Sequence, residues 1–248
     1  MISISHSYHD SRMTNNVTRV VKYSILLFLV YVKLFLLFRK YFYNYKYENV
    51  EKNIKLDIIL IINIGGMIGM KIYYVRHGQT DLNLAKKMQG GGTEKELNET
   101  GINQANETRK ELENVKYDIV ICSPMYRAKQ TAEIINQNRN VQTIIDERIR
   151  ERKLGKLEGH EITDEIENQI WDYDLNYQIP DGENLHDFEK RILDFLEDIK
   201  KKYSDKTVLI VAHGGVAKVI KAHLYGMPES KLLSDITMKN CEIIEAEI

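Results

Sequence analysis

The chain has 248 residues, 43% of them hydrophobic and 29% charged, which is enough to bury the core of one sizeable domain with an appendage. A formal net charge of −1, with no basic stripe interleaved by aromatics, excludes nucleic acid as a partner. Two cysteines, Cys122 and Cys241, are too few for a disulfide framework and no Cys/His cluster has zinc spacing, so a reducing, cytoplasmic setting with no metal and no cofactor is expected.

Composition divides the chain near Met70. Residues 1–69 hold 9 Lys/Arg and 4 Asp/Glu; taken from totals of 35 and 36, this leaves 26 against 32 for the rest. Residues 23–38, YSILLFLVYVKLFLLF, are almost continuously apolar. As a helix they would span about 24 Å against roughly 30 Å of hydrocarbon. Lys33 sits inside the run, at a cost of about 2.5–3.5 kcal/mol near a bilayer centre. No small-residue cleavage site follows, so the run does not read as a secretory signal. The extension 1–69 has three readings: a tail or a start codon set too early, with Met70 the alternative start; a membrane anchor through residues 20–40; or an extra helix packed on the domain. The first is favoured. The stretch DIILIINIGGMIG puts glycines after an apolar run, but their spacing is G-G-x-x-G and another strand follows, so it does not read as a dinucleotide site.

From Met70 to Ile248 strands and helices alternate. KIYYV (71–75) suits a strand buried on both faces. Residues 100–114 continue from a Thr signal as a charged amphipathic helix. YDIVICSP (117–124) is a second strand ended by Ser-Pro, residues 126–137 a second helix, and VQTII (141–145) a third strand. Residues 161–172 read as helical. Over 184–203, Leu185, Phe188, Ile192, Phe195, Leu196 and Ile199 recur at helical spacing and lysines crowd the last turn. TVLIVAHGG (207–215) is a fourth strand, GVAKVIKAHLYG (215–226) its helix, and CEIIEAEI a closing edge strand. This order predicts a three-layer α/β/α sandwich on a mostly parallel sheet, with the ligand site beyond the carboxyl ends of the strands.

Three of those ends are polar: Arg76-His77-Gly78, Ser123-Pro124 followed by Arg127, and His213-Gly214-Gly215. Brought to one rim, two imidazoles and two guanidiniums make a pocket for an anion. Arginine grips phosphate oxygens in pairs, and Gly78 and Gly214 let backbone N–H groups approach them. One imidazole can then attack phosphorus to give a phosphohistidine while the arginines neutralise the developing charge. A carboxylic acid protonates the leaving oxygen and later activates water. Glu147, Glu151 and Glu158 compete for that role. A cysteine phosphatase needs C-x₅-R, whereas Cys122 to Arg127 is C-x₄-R. Read without function, Arg148, Arg150 and Arg152 form a solvated face, Glu183 is a turn residue, and His160, His186 and His223 are surface residues.

YYVRHGQTDLN resembles the R-H-G-[EQ]-[ST]-x-x-N signature of the histidine phosphatase superfamily, which includes the phosphoglycerate mutases. LNETGINQA, SPMYRAKQTA, IRERKLGKLEG, DGEN and VAHGGV resemble the family's further motifs in order, with Asn98 and Asn184 in place of the usual Ser or Thr and Ser. The resemblance covers Met70–Ile248. It implies His77 as nucleophile, Arg76, Arg127 and His213 as phosphoryl-binding groups, and Glu151 as general acid and then base. It places Gly78, Asn83, Gln89, Gly90 and Gly214 on the substrate side, and implies a small phosphorylated substrate. The segment from Gly155 to Asp181 is short and acidic, without the arginine pair of the mutases, so a second anion is expected to meet repulsion there. The chain therefore resembles the shorter monoester phosphatases, such as the alpha-ribazole phosphatases. Mutase-type transfer and a non-catalytic phospho-ligand binder are the alternatives.

Overall fold

The computed structural model describes Lys33 and residues 69–248; the apolar run at 23–38, apart from Lys33, and the readings placed on the extension lie outside the described residues. Five strands form one sheet: β1 (Lys71–Arg76), β2 (Ile119–Cys122), β3 (Thr143–Ile145), β4 (Thr207–Ala212) and β5 (Ile243–Glu247). Their order is β3-β2-β4-β1-β5. The first four run parallel, and β5 lies antiparallel on the β1 edge. Around them run α1 (Asp81–Leu84), α2 (Glu99–Glu111), α3 (Tyr126–Asn136), α4 (Asp164–Trp171), α5 (Leu185–Lys202) and α6 (Gly214–Tyr225).

The three layers follow from the two-residue period of the strands. Ile72, Tyr74, Val208 and Ile210 point to one face, where they pack with Leu185, Phe188, Ile192 and Phe195 of α5 and with Val216 and Ile220 of α6. Tyr73, Val75, Leu209 and Val211 point to the other, against Ala128, Ala132 and Ile135 of α3 and Leu112 just after α2. Helical segments separate the four parallel strands because the chain must cross over to pair in parallel. The apolar spacing read along 184–203 is the stripe of α5, each large side chain contributing roughly 1.5–3 kcal/mol on burial. Asn184 caps its start through Asp187 N, and Lys200, Lys201 and Lys202 sit at its negative end.

The elements differ from expectation in three places. β3 is only three residues long, with Thr143 and Ile145 exposed at the sheet edge. The helix expected from 161 starts at Asp164 because Thr163 caps it, while Glu161 bridges to Lys87. α1 was not expected at all; it is a single turn held by a capping box between Thr80 and Asn83. Among the described residues no helix is long and apolar enough to cross a membrane.

The fold also brings the loop after β1 hard against the start of α2. A Cβ on Gly78 would stand 2.5 Å from the Gly101 carbonyl oxygen, and one on Gly101 would stand 2.1 Å from that of Gln79. Only hydrogen fits on either side. Gly101→Ala is therefore expected to destabilise the domain by about 1–3 kcal/mol through overpacking. A urea titration checks this, and an unchanged midpoint would contradict the contact.

Candidate active site

The register of the parallel strands assembles the site. Arg76 lies opposite Ala212 in the β1–β4 pair, and Cys122 opposite Val211 in β2–β4. His77, Ser123 and His213 thus leave three neighbouring strands at one level. The His77 and His213 rings end 5.2 Å apart between centroids, edge to face.

His77 is buried and its tautomer is set. Nδ1 lies 2.7 Å from the Gly78 carbonyl oxygen, which can only accept, so Nδ1 carries the proton and Nε2 keeps its lone pair. Arg127 Nε donates to that Nε2 at 3.2 Å. Burial first, then the Arg127 and Arg76 cations, hold the His77 imidazole well below the usual histidine range, so it stays neutral. The backbone of the nucleophile loop is pinned as well. His77 N donates to the Ala212 carbonyl at 2.9 Å, Gly78 N to Thr131 Oγ1 at 3.0 Å, and Asn240 Nδ2 to the His77 carbonyl at 2.9 Å.

Of the cations around it, Arg127 is buried and Arg76 half-buried. Arg127 also donates to the Thr93 carbonyl at 2.8 Å, and burial pushes it down only to about 10, so it stays charged at neutral pH. Arg76 donates through Nη1 to the Met238 carbonyl. His213 caps α6 without a side-chain cap bond and places Nε2 2.6 Å from Ser123 Oγ, while its carbonyl accepts from Tyr74 OH. Burial and the Arg127 charge hold it, too, below the usual range. Arg76 Nε, Gln89 Nε2, Arg152 Nη2 and His213 Nδ1 are buried and have no partner among the described residues. Three of these residues, Arg76, Gln89 and Arg152, line one cavity, and their unsatisfied nitrogens suit an anion rich in oxygen acceptors.

Glu151 completes the set. Its Oε1 accepts from Arg152 N at 2.8 Å and its Oε2 from Gly215 N at 2.9 Å. A Cβ on Gly215 would stand 2.2 Å from Oε1, so the carboxyl reaches the helix start only because residue 215 is glycine. The other two glutamates point elsewhere. Glu147 is exposed and pairs with Arg150 at 3.0 Å, and Glu158 accepts from Gly92 N and Leu154 N at 3.0 and 3.1 Å, clamping the glycine loop.

The cavity, about 240 Å³, is lined by Arg76, His77, Asn83, Gln89, Glu151 and Gly214 among others. His213 and Arg127 stand behind His77 rather than in the lining; Gly78 and Gly90 are packing positions, a Cβ on Gly90 meeting the Glu158 carboxylate at 2.5 Å. Cys122 lies off the cavity, its thiol pushed up to about 12 by burial. Among the described residues no three of His, Cys, Asp and Glu group as metal ligands.

Two sequence expectations change. Arg152 is not part of a solvated face: it is fully buried, lies 5.1 Å from the Trp171 ring, and donates through Nε to the Glu183 carbonyl at 2.9 Å. Most of the acidic segment 156–181 stays off the pocket: Glu161, Asp164 and Glu165 are exposed, and of its carboxylates only Glu167 lines the cavity. The repulsion expected of a second anion thus reduces to that one group. Ser123, expected only as a polar strand end, supports the site, as do Thr131, Met238 and Asn240, which were not singled out; Thr131 sat inside a quoted motif, the last two in none.

Comparison with known proteins agrees with this geometry. The sequence profile of the histidine phosphatase superfamily (branch 1) matches residues 72–248. The uncharacterized phosphatase PhoE of Bacillus subtilis is 36% identical over 174 residues, covering 69% of this chain and 87% of that protein. The putative phosphoserine phosphatase 2 of Hydrogenobacter thermophilus is 35% identical over 182 residues, covering 71% and 88%. The crystal structure of a putative alpha-ribazole-5'-P phosphatase from Escherichia coli superposes with a TM-score of 0.63 at 26% identity, covering 73% of this chain and 91% of that one.

The buried neutral imidazoles set a pH dependence. A histidine whose native pKa lies below its unfolded value of about 6.5 lets the unfolded chain bind more protons, so stability falls as pH drops through and below 6.5. His77→Asn removes one such group. Between pH 7.5 and 5.5 the variant is expected to lose less stability than the parent, by up to about 1.4 kcal/mol. Equal losses in paired urea titrations would contradict the neutral His77.

Proposed function

The chain belongs to the histidine phosphatase superfamily and is a phosphatase, and on that premise we propose that it hydrolyses a small phosphomonoester through a phosphohistidine at His77, without a metal ion. One observation supports this above the others: an imidazole whose tautomer leaves the lone pair on Nε2, where Arg127 Nε donates to it, sits beside Arg76, Gln89 and His213, each with a buried nitrogen that has no partner among the described residues.

The chemistry follows from the residues. His77 Nε2 forms a bond to phosphorus as the bond to the leaving oxygen breaks, and the positive charge on the ring is shared through Nδ1–H with the Gly78 carbonyl. Arg76, Arg127 and His213 take the phosphoryl oxygens and the charge that builds on them. Glu151, its carboxyl plane fixed by two backbone N–H groups, gives a proton to the leaving alcohol. In the second half water attacks phosphorus, Glu151 takes its proton, and the P–N bond breaks to return His77 and release phosphate.

Phosphoglycerate mutase-type transfer needs free cations for a second anionic end. Lys218 on that wall is engaged by the carbonyls of Leu233, Ser234 and Ile236, which favours hydrolysis, while Arg152, bound to those of Glu183 and Ile170, keeps only Nη2 without a partner among the described residues. A non-catalytic binder has no use for a carboxyl lining the cavity beside His77.

The full chain is expected to hydrolyse p-nitrophenyl phosphate in EDTA at the same rate as without it; a strict need for a divalent ion would refute the mechanism. Glu151→Gln is expected to slow alkyl phosphates by about 10²–10⁴-fold and aryl phosphates much less, because only poor leaving groups need the proton. Equal slowing of both would move the acid to another residue.

A further inference from the structure

Beyond the phosphoryl corner, the cavity wall names the kind of alcohol that leaves. We propose that the substrate's leaving group is an uncharged, largely apolar body about one ring in size, the class of arylalkyl and aryl phosphate monoesters, and not a polyol or a hydroxy acid. This rests on the hydrolase reading above and deepens it.

The apolar wall is continuous. Met88 and Leu154 form it on the loop side, Ile170 and Trp171 project from α4, Ile236 closes it from the C-terminal loop, and Ile162, 44% exposed, stands on the lining beyond them. Four of these, Met88, Leu154, Ile170 and Trp171, belong to the domain core, so the wall is rigid and not a set of surface side chains. Ile162, Ile170 and Trp171 all come from the acidic segment, which sends these apolar residues and one carboxylate, Glu167, to the pocket.

Part of the polar surface on this wall is already engaged. Asn83 Oδ1 accepts from Thr80 N at 3.1 Å and Gln89 Oε1 from Thr80 Oγ1 at 2.7 Å, while Gln89 Nε2 has no partner among the described residues. Lys218 Nζ lies 3.0, 3.2 and 2.6 Å from three backbone carbonyls, with Glu167 at 3.8 Å, and it covers the Trp171 ring at 5.5 Å. Thr237 and Lys87 are exposed. A polyol entering here would give up water and find few partners for its hydroxyls, whereas an apolar body gives up nothing and covers the wall. At about 240 Å³ the cavity is below the usual drug-sized range, which leaves space for roughly one ring beside the phosphoryl group. Arg152 Nη2 is the competing feature: it has no partner among the described residues, and a substrate carboxylate is what would claim it.

Three primary alkyl monoesters separate these outcomes, because the P–O bond broken is chemically alike in each: 2-phenylethyl phosphate, glycerol 1-phosphate and 3-phosphoglycerate. With the full chain, kcat/KM for 2-phenylethyl phosphate is expected to exceed both others by about tenfold or more. Ile162→Ser is expected to shrink that ratio several-fold. Glycerol 1-phosphate turned over as well as the phenylethyl ester would overturn the proposal. So would a preference for 3-phosphoglycerate, which would assign the wall to Arg152 as a carboxylate reader. Turnover of none of the three, nor of p-nitrophenyl phosphate, would remove the hydrolase reading itself and this one with it.

Discussion

The whole site depends on one register, Arg76 of β1 opposite Ala212 of β4. It makes His77 N donate to the Ala212 carbonyl and sets His77 and His213 one residue beyond the ends of adjacent strands. A slip of one residue would turn every β1 side chain to the opposite face, sending Tyr74 out of the α5–α6 layer. Tyr74 anchors this register chemically as well as sterically, since its hydroxyl donates to the His213 carbonyl from within the core. Packing of the sheet and placement of the two imidazoles are thus one constraint.

Around that rim the protein keeps positive charge buried and incompletely paired. Among the described residues Arg76, Arg127 and Arg152 have no carboxylate within ion-pair distance, and their donors go to carbonyl oxygens, to His77 or to nothing. A buried guanidinium without a counter-ion is costly, and a phosphoryl dianion carries the charge that would offset it. The C-terminal loop holds the arrangement in place from the far side of β1. Met238 accepts from Arg76, Cys241 N donates to the Arg76 carbonyl at 3.0 Å, and Asn240 donates to the His77 carbonyl. The edge strand β5 therefore does more than close the sheet: its leading loop fixes the backbone of the Arg-His pair.

Much of this was legible in the sequence because the information was local. Period-two apolar runs and the stripe of α5 follow from side-chain spacing, and the polar strand ends announced the rim. The motif resemblance already preferred Glu151 to Glu147 and Glu158, but the physical reason needed three dimensions: of three acidic residues close in sequence, Glu151 is the one held by Arg152 N and Gly215 N. Arg152 read as solvated because it alternates with two other arginines; its burial comes from Trp171, which arrives from a different segment. Met238 and Asn240 lie more than 150 residues from the groups they hold, and no local pattern could reveal them. α1 was hidden for another reason. Thr80 and Asn83 were read only as motif residues, although T-x-x-N also permits the capping box they form.

The central claim is that His77 Nε2 is the atom that takes the phosphoryl group, and a rapid acid-free quench of the full chain turning over a phosphomonoester, followed by peptide mass spectrometry, tests it most directly. The account predicts a single acid-labile, alkali-stable phosphoryl group on the peptide carrying His77, lost when water completes the cycle. A phosphoryl group on any other residue, or turnover that passes through no covalent intermediate, would contradict it.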